Sequence, residues 1–195
     1  MDWPVAAGDI FLATALTIVL LSPIAGAAGG WQRVSRVPRG AVALGLVVTF
    51  GLLFISWRQL PGGRLAALSG HAALLVAAFA LTELGRTTRA LVRDPLAAGL
   101  IGWLIAMAVT LGPFALGPLM GDLPLGAYNW MLLANPLVTV ATASGIDFLH
   151  LDLIYRSSPL AHRGVALPAW TMASIGYAFL GGALFGVSRL RRRSA

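Results

Sequence analysis

The stretch Trp130–Ile146, WMLLANPLVTVATASGI, decides the architecture of this chain. It is apolar and nearly long enough to cross a bilayer. Asn135-Pro136 interrupts it near its start, and Asp147, His150 and Asp152 follow at once. Proline has no N–H and its ring clashes with the preceding turn, so a helix entering at Trp130 bends or breaks at that pair. Whether the stretch crosses or dips in and returns fixes the side on which every later residue lies.

The residues around it set the context. The chain has 195 residues, 58% of them hydrophobic and 11% charged, against about 25% charged in a soluble domain. Too little polar surface exists to cover a globule, so lipid must face the outside. A bilayer core of about 30 Å needs roughly 20 apolar residues in a helix. The runs Ile10–Gly29, Ala41–Trp57, Leu65–Leu84 and Leu96–Leu119 meet or approach that length, and a fifth is Trp170–Val187. Polar stretches punctuate them at Trp31–Arg39, Arg58–Arg64, Gly85–Asp94 and Arg189–Arg193. Trp31, Trp57 and Trp170 stand at span ends, as interfacial aromatics do. Met1-Asp2-Trp3-Pro4 lacks the basic start of a cleavable signal, so the first run is read as a span that stays.

Charge arbitrates the central stretch. If it does not cross, one side holds ten Arg: Arg33, Arg36, Arg39, Arg86, Arg89, Arg93, Arg189, Arg191, Arg192 and Arg193. The other side holds the remaining four, Arg58, Arg64, Arg156 and Arg163, together with Asp2, Asp9, Asp122, Asp147 and Asp152. That is the bias the positive-inside rule expects. A crossing would place the last Arg cluster opposite the first ones and erase the bias. The expectation is therefore an all-α integral protein of the bacterial inner membrane, with its N-terminus outside and its C-terminus inside. It forms one domain over residues 1–195, with five transmembrane helices near 10–29, 41–57, 65–84, 96–119 and 170–187. A re-entrant external hairpin over 123–149 precedes the last span. Non-helical backbone at membrane depth must be buried in protein, so this hairpin should pack into the bundle or against a partner.

Few residues offer chemistry. His71 lies inside the third span, and an ionisable group there is a candidate pigment or haem ligand, or a proton relay. The plainer reading is a neutral imidazole bonded to a neighbouring helix, near Ser69. Glu83 and Arg86, three apart, can meet on one helix face as a topology-fixing ion pair. His150, Asp152 and His162 match no zinc spacing and read as a solvated loop. There is no Cys, no GxxxxGK[ST] loop and no nucleophile elbow. No enzyme, metal site or resident cofactor is expected. The net charge of +7 resides in Arg clusters between spans, which suits topology and not nucleic acid. Gly26 and Gly30, and Gly182 and Gly186, are four apart, the spacing that lets helix backbones approach within one chain or between copies. Pro23 and Pro113 should kink their spans, with Ser22 and Thr110 available to the freed carbonyls.

Three features carry a resemblance. Arg86-Thr87-Thr88-Arg89-Ala90 opens a long apolar span. That span ends at Gly117-Pro118, with Leu123-Pro124 leading to Asn135-Pro136. A polar external loop then reaches a last span that starts near Pro168-Ala169-Trp170 and closes on Arg189–Arg193. Over residues 41–193 this order resembles the permease subunits of type-2 ABC exporters. It is similar to their basic Thr-bearing link, their Leu-Pro entry and Asn-Pro break in an external re-entrant hairpin, and their final span. The resemblance implies Asn135 and Pro136 at the re-entrant turn. It also implies a second permease and a separate ATPase as partners, with Arg33, Arg36, Arg39, Arg86, Arg89 and Arg93 in ATPase-facing loops. The usual first cytoplasmic helix and span of that family have no counterpart here. On this reading the chain helps export a hydrophobic or amphipathic substrate, since few polar residues line the spans. The alternative is a non-catalytic accessory subunit of a respiratory or photosynthetic membrane complex, in which His71 approaches a cofactor.

Overall fold

A computed structural model of the chain describes residues 3–29, 63–115, 123–148 and 167–193. The second expected span, 41–57, and Arg33, Arg36, Arg39, His150, Asp152 and His162 lie outside the described residues. Every regular element among the described residues is helical: α1 Trp3–Ala27, α2 Gly63–Val92, α3 Pro95–Ala115, α4 Leu125–Leu133, α5 Pro136–Ala143 and α6 Trp170–Arg193. Four of them contain stretches long and apolar enough to cross a membrane, namely Gly8–Ala27, Gly63–Val92, Pro95–Ala115 and Trp170–Leu190.

The polar stretch Gly85–Asp94 is not a loop, contrary to the expectation from hydropathy. α2 continues through it to Val92, a helix of 30 residues, or about 45 Å at 1.5 Å per residue. Hydropathy drops at Glu83 because side chains turn polar, but the sequence up to Val92 holds no helix stop. Thr88 even bonds back to the Leu84 carbonyl at 2.8 Å. The true stop is a two-residue link. Arg93 adopts φ 63°, the left-handed conformation that ends helices. Asp94 then caps α3, accepting from the N–H groups of Leu96 at 3.1 Å and Ala97 at 3.3 Å. Pro95 occupies the first helical position, where a missing N–H costs nothing.

Helix directions follow from the contacts. α1 and α2 run parallel: Phe11 packs on His71 near their starts, with centroids 5.1 Å apart, and Gly26 sits on Thr82 near their ends. α6 runs parallel to α2 as well, with Gly181 against Phe79 and Ala80, and Leu184 accepting from Thr87 at 3.4 Å. α3 runs the other way, with Gly99 beside Ala27 and Gly102 beside Pro23. The bundle therefore has a Gly70 end, where α1, α2 and α6 start and α3 finishes, and a Gly85 end opposite. α4 and α5 fall in the chain between the end of α3 and the start of α6, both at the Gly70 end.

At the Gly85 end three backbones nearly touch. A Cβ on Gly26 would lie 2.0 Å from the Thr82 carbonyl oxygen, and one on Gly85 would lie 2.0 Å from that of Pro23. Of the pairs expected to bring helices together, Gly26 does so within the chain, and its partner Gly30 lies outside the described residues. Gly182 and Gly186 do not: a Cβ on either would meet nothing within 4 Å.

Candidate functional site: the Asn135 helix break and the cleft beside it

α4 and α5 are two short helices separated by Ala134 and Asn135. α5 is the most enclosed element described. Pro136 to Ala141 and Ala143 are all buried, packed against α1, α2, α3, α4 and α6. Its apolar residues Val138, Val140 and Ala141 share one core with Phe11, Leu12, Ala15, Leu74, Tyr128 and Leu132. Its far end rests on α2. A Cβ on Gly70 would lie 1.9 Å from the Ser144 hydroxyl oxygen, and the Ser69 hydroxyl donates to the Ala143 carbonyl. Phe148 then meets Phe114 in the last turn of α3, with centroids 5.2 Å apart. This end of α5 lies toward the Gly70 end of the bundle.

The near end is held by Asn135, which is fully buried. Its Oδ1 accepts from the N–H groups of Leu137 at 2.9 Å and Val138 at 3.2 Å, capping α5. Its Nδ2 donates to the Thr110 carbonyl of α3 at 2.8 Å. Pro136 sits in the first turn of α5. Both meanings of the Asn-Pro pair thus hold together: the chain breaks here, and the pair starts a capped helix. The last turn of α4 leaves a carbonyl on Ala134, which accepts from the Tyr177 hydroxyl of α6. Tyr177 shares a small cluster with Ala77 and Ala80, near the middle of α2.

Beside this break a cleft of about 430 Å³ opens between α3 and α6. Leu81 and Leu84 of α2 form its back, Leu133, Ala134 and Pro136 its floor, and Ile105, Val109, Met172 and Gly176 its flanks. Trp130, at 71% exposure, stands at its mouth. The side-chain polar groups in the wall are the Tyr177 hydroxyl, engaged with Ala134, and the indole N–H of Trp130. Such a volume falls within the roughly 300–1,000 Å³ of ligand sites, and its wall is almost wholly apolar.

No protein-family model, curated protein or solved structure matches this chain. The site is therefore read from its own geometry.

The remaining sequence candidates fall elsewhere. His71 does not bond to a neighbouring helix; its Nδ1 donates to the Ala67 carbonyl of its own helix at 2.7 Å, because residues four apart lie on one face. A carbonyl cannot donate, so Nδ1 carries the proton of that bond. Among the described residues no group of three His, Cys, Asp or Glu could hold a metal. Glu83 and Arg86 do form their ion pair, with Glu83 fully buried. Arg89 donates to the Ala27 carbonyl at 2.8 Å, closing the end of α1. Of the Arg residues expected in the second basic loop, Arg86 and Arg89 are thus helical and turned to internal partners, whereas Arg93 stands exposed in the link. Ser22 donates to the Ile18 carbonyl at 2.6 Å, and not to the Val19 carbonyl, four residues before Pro23, that the proline leaves without its N–H. The Thr110 hydroxyl does not serve the Pro113 turn, since it meets no partner among the described residues.

The sequence reading missed Tyr177 and the cleft. One signal was available: Ala173, Gly176, Tyr177 and Leu180 recur at helical spacing along the last span, small and large residues on one stripe. Nothing in the sequence says which helices flank that stripe.

Proposed function

We propose that this chain is a permease-like subunit of an ABC-type exporter in the bacterial inner membrane, pairing with a separate ATPase and helping to move a hydrophobic or amphipathic substrate. One observation carries the reading: a buried, Asn-capped helix break roofed by the long helices. It fits a hairpin that enters the bilayer from the outer face and returns. A polar substrate would need many partners in the bundle, and the cleft wall, almost wholly apolar, supplies few. Arg93 and the Arg33–Arg39 segment are the parts left to meet an ATPase.

A second reading has its own support. Gly182 and Gly186 stand four apart on α6 with nothing within 4 Å of a Cβ at either, the spacing at which another helix can approach. That face suits an accessory subunit packed in a larger complex, with the His71 Nε2 turned to a partner's cofactor. Purification from native membranes in mild detergent separates the two. The proposal expects a co-purifying chain bearing a GxxxxGK[ST] loop; haem- or pigment-bearing subunits in its place would overturn it.

A further inference from the structure

At the Gly85 end of the bundle we infer a binding surface for the headgroups of anionic phospholipids, with Arg93 and Arg189 as its phosphate ligands. Helix register brings the two together. α6 runs parallel to α2, with Gly181 against Phe79 and Ala80, and the Leu184 carbonyl accepting from Thr87. Arg189, five residues beyond Leu184, therefore lies level with the last turn of α2. The helix continues through Arg191, Arg192 and Arg193, toward the level of the Arg93-Asp94 link. Carboxylates are scarce here. Glu83 is taken by Arg86, and Asp94 is engaged in capping α3. Among the described residues neither Arg93 nor Arg189 forms an ion pair, and both are exposed.

Depth decides which anion this cluster meets. Leu91 and Leu96, on either side of Arg93, are 59% and 72% exposed, and α3 is a span from its first residues. Aliphatic surface so exposed belongs in lipid, so the link sits where hydrocarbon gives way to headgroups. The anion at that depth is the lipid phosphodiester. Arginine suits it, since its planar fork donates two parallel N–H bonds to phosphate oxygens. Arg189 is also held ready: its guanidinium stands over the Phe185 ring, one turn back, at 5.1 Å. The ring steadies the cation and uses none of its N–H donors. Selection is by charge. Phosphatidylglycerol brings a net negative charge, whereas phosphatidylcholine balances its phosphate with its own ammonium. The surface needs no ATPase and no particular sidedness, so it stands or falls separately from the transport reading.

Native mass spectrometry of the full chain tests this. The protein is released from detergent micelles doped with equal amounts of dioleoyl phosphatidylglycerol and dioleoyl phosphatidylcholine, and the ratio of retained lipids is read. The unmutated protein should retain phosphatidylglycerol in clear excess. One arginine at a lipid surface is worth about fivefold in binding, so Arg93→Gln and Arg189→Gln should each lower the ratio by about that factor. Arg64→Gln removes an equal charge from an exposed position at the Gly70 end and should leave the ratio unchanged. Both test side chains are exposed, so neither substitution empties a packed site, and either variant alone decides. Equal retention of the two lipids overturns the proposal, as does an equal loss in all three variants, which net charge without a site would give. The melting temperature in detergent supplies a second measurement. Phosphatidylglycerol should raise it and millimolar inorganic phosphate should not; an equal rise with phosphate would make free phosphate the ligand and sink the lipid assignment.

Discussion

Asn135 ties the short helix it caps to α3 through the Thr110 carbonyl, 2.8 Å from its Nδ2. That carbonyl belongs to α3, one turn before Pro113. One buried amide thus serves two helices. Asn135→Leu strands the two N–H groups that its Oδ1 serves in an apolar interior, at about 1–3 kcal/mol for each group left unsatisfied. The expected result is a sharp fall in the yield of folded, monodisperse protein and in its melting temperature in detergent. A variant that folds normally but loses transport would move Asn135 from scaffold to substrate path.

The close crossing at Gly85 predicts a contrast between glycines. Gly85→Ala places a methyl 2.0 Å from the Pro23 carbonyl oxygen, a backbone atom that cannot rotate away. Overpacking of this kind costs about 3 kcal/mol. Gly182→Ala meets no neighbour and should stabilise its helix by about 0.5–1 kcal/mol. Thermal melts of the two variants in one detergent check both signs, and equal melting temperatures would refute the crossing.

The buried Glu83–Arg86 pair predicts strong coupling between its members. Removing one partner leaves the other charge in a low-dielectric site, at about 3–5 kcal/mol. Glu83→Leu and Arg86→Met should each be poorly folded, yet the double variant should recover much of the loss. Additive destabilisation in a double-mutant cycle would mean that the two charges act independently.

The chain holds no cysteine, which makes sidedness easy to read. Single cysteines at Leu125 and Asp147, both exposed and flanking the two short helices, should label together with an impermeant maleimide added from outside. Labelling of one alone would mean that the segment crosses. A phosphatase fused at the C-terminus should be inactive if that terminus lies inside.

Tyr177→Phe removes the hydroxyl that satisfies Ala134 but keeps the ring in its cluster with Ala77 and Ala80. The expected cost is about 1 kcal/mol. Hydrogen exchange should accelerate locally at the junction of α4 and α5, and unchanged protection there would exclude a role for the bond.

Much of this architecture was legible because lipid makes hydropathy an almost direct record of span positions. The four described spans fall where Ile10–Gly29, Leu65–Leu84, Leu96–Leu119 and Trp170–Val187 place them. Glu83 and Arg86 could be paired from their spacing alone, since three residues is a helical repeat. The end of α2 was not legible. Polar residues signal departure from lipid, not the end of a helix, and the actual stop is written in Arg93-Asp94-Pro95. The junction of α4 and α5 was half legible: Asn135-Pro136 announced a break, but the Thr110 carbonyl is backbone and leaves no mark in the sequence. The cleft was illegible, because its walls come from five helices whose neighbours no local pattern names.

The two-residue link at Arg93-Asp94 has a mechanical consequence. With α2 and α3 joined so tightly, Arg89 gripping the end of α1, and Gly26 and Gly85 locking α1 onto α2, that end of the bundle has no slack. It must move as one body. Motion is therefore left to the opposite half, where α6 meets the junction of α4 and α5 through the Tyr177 hydroxyl and side-chain packing rather than interlocked backbones.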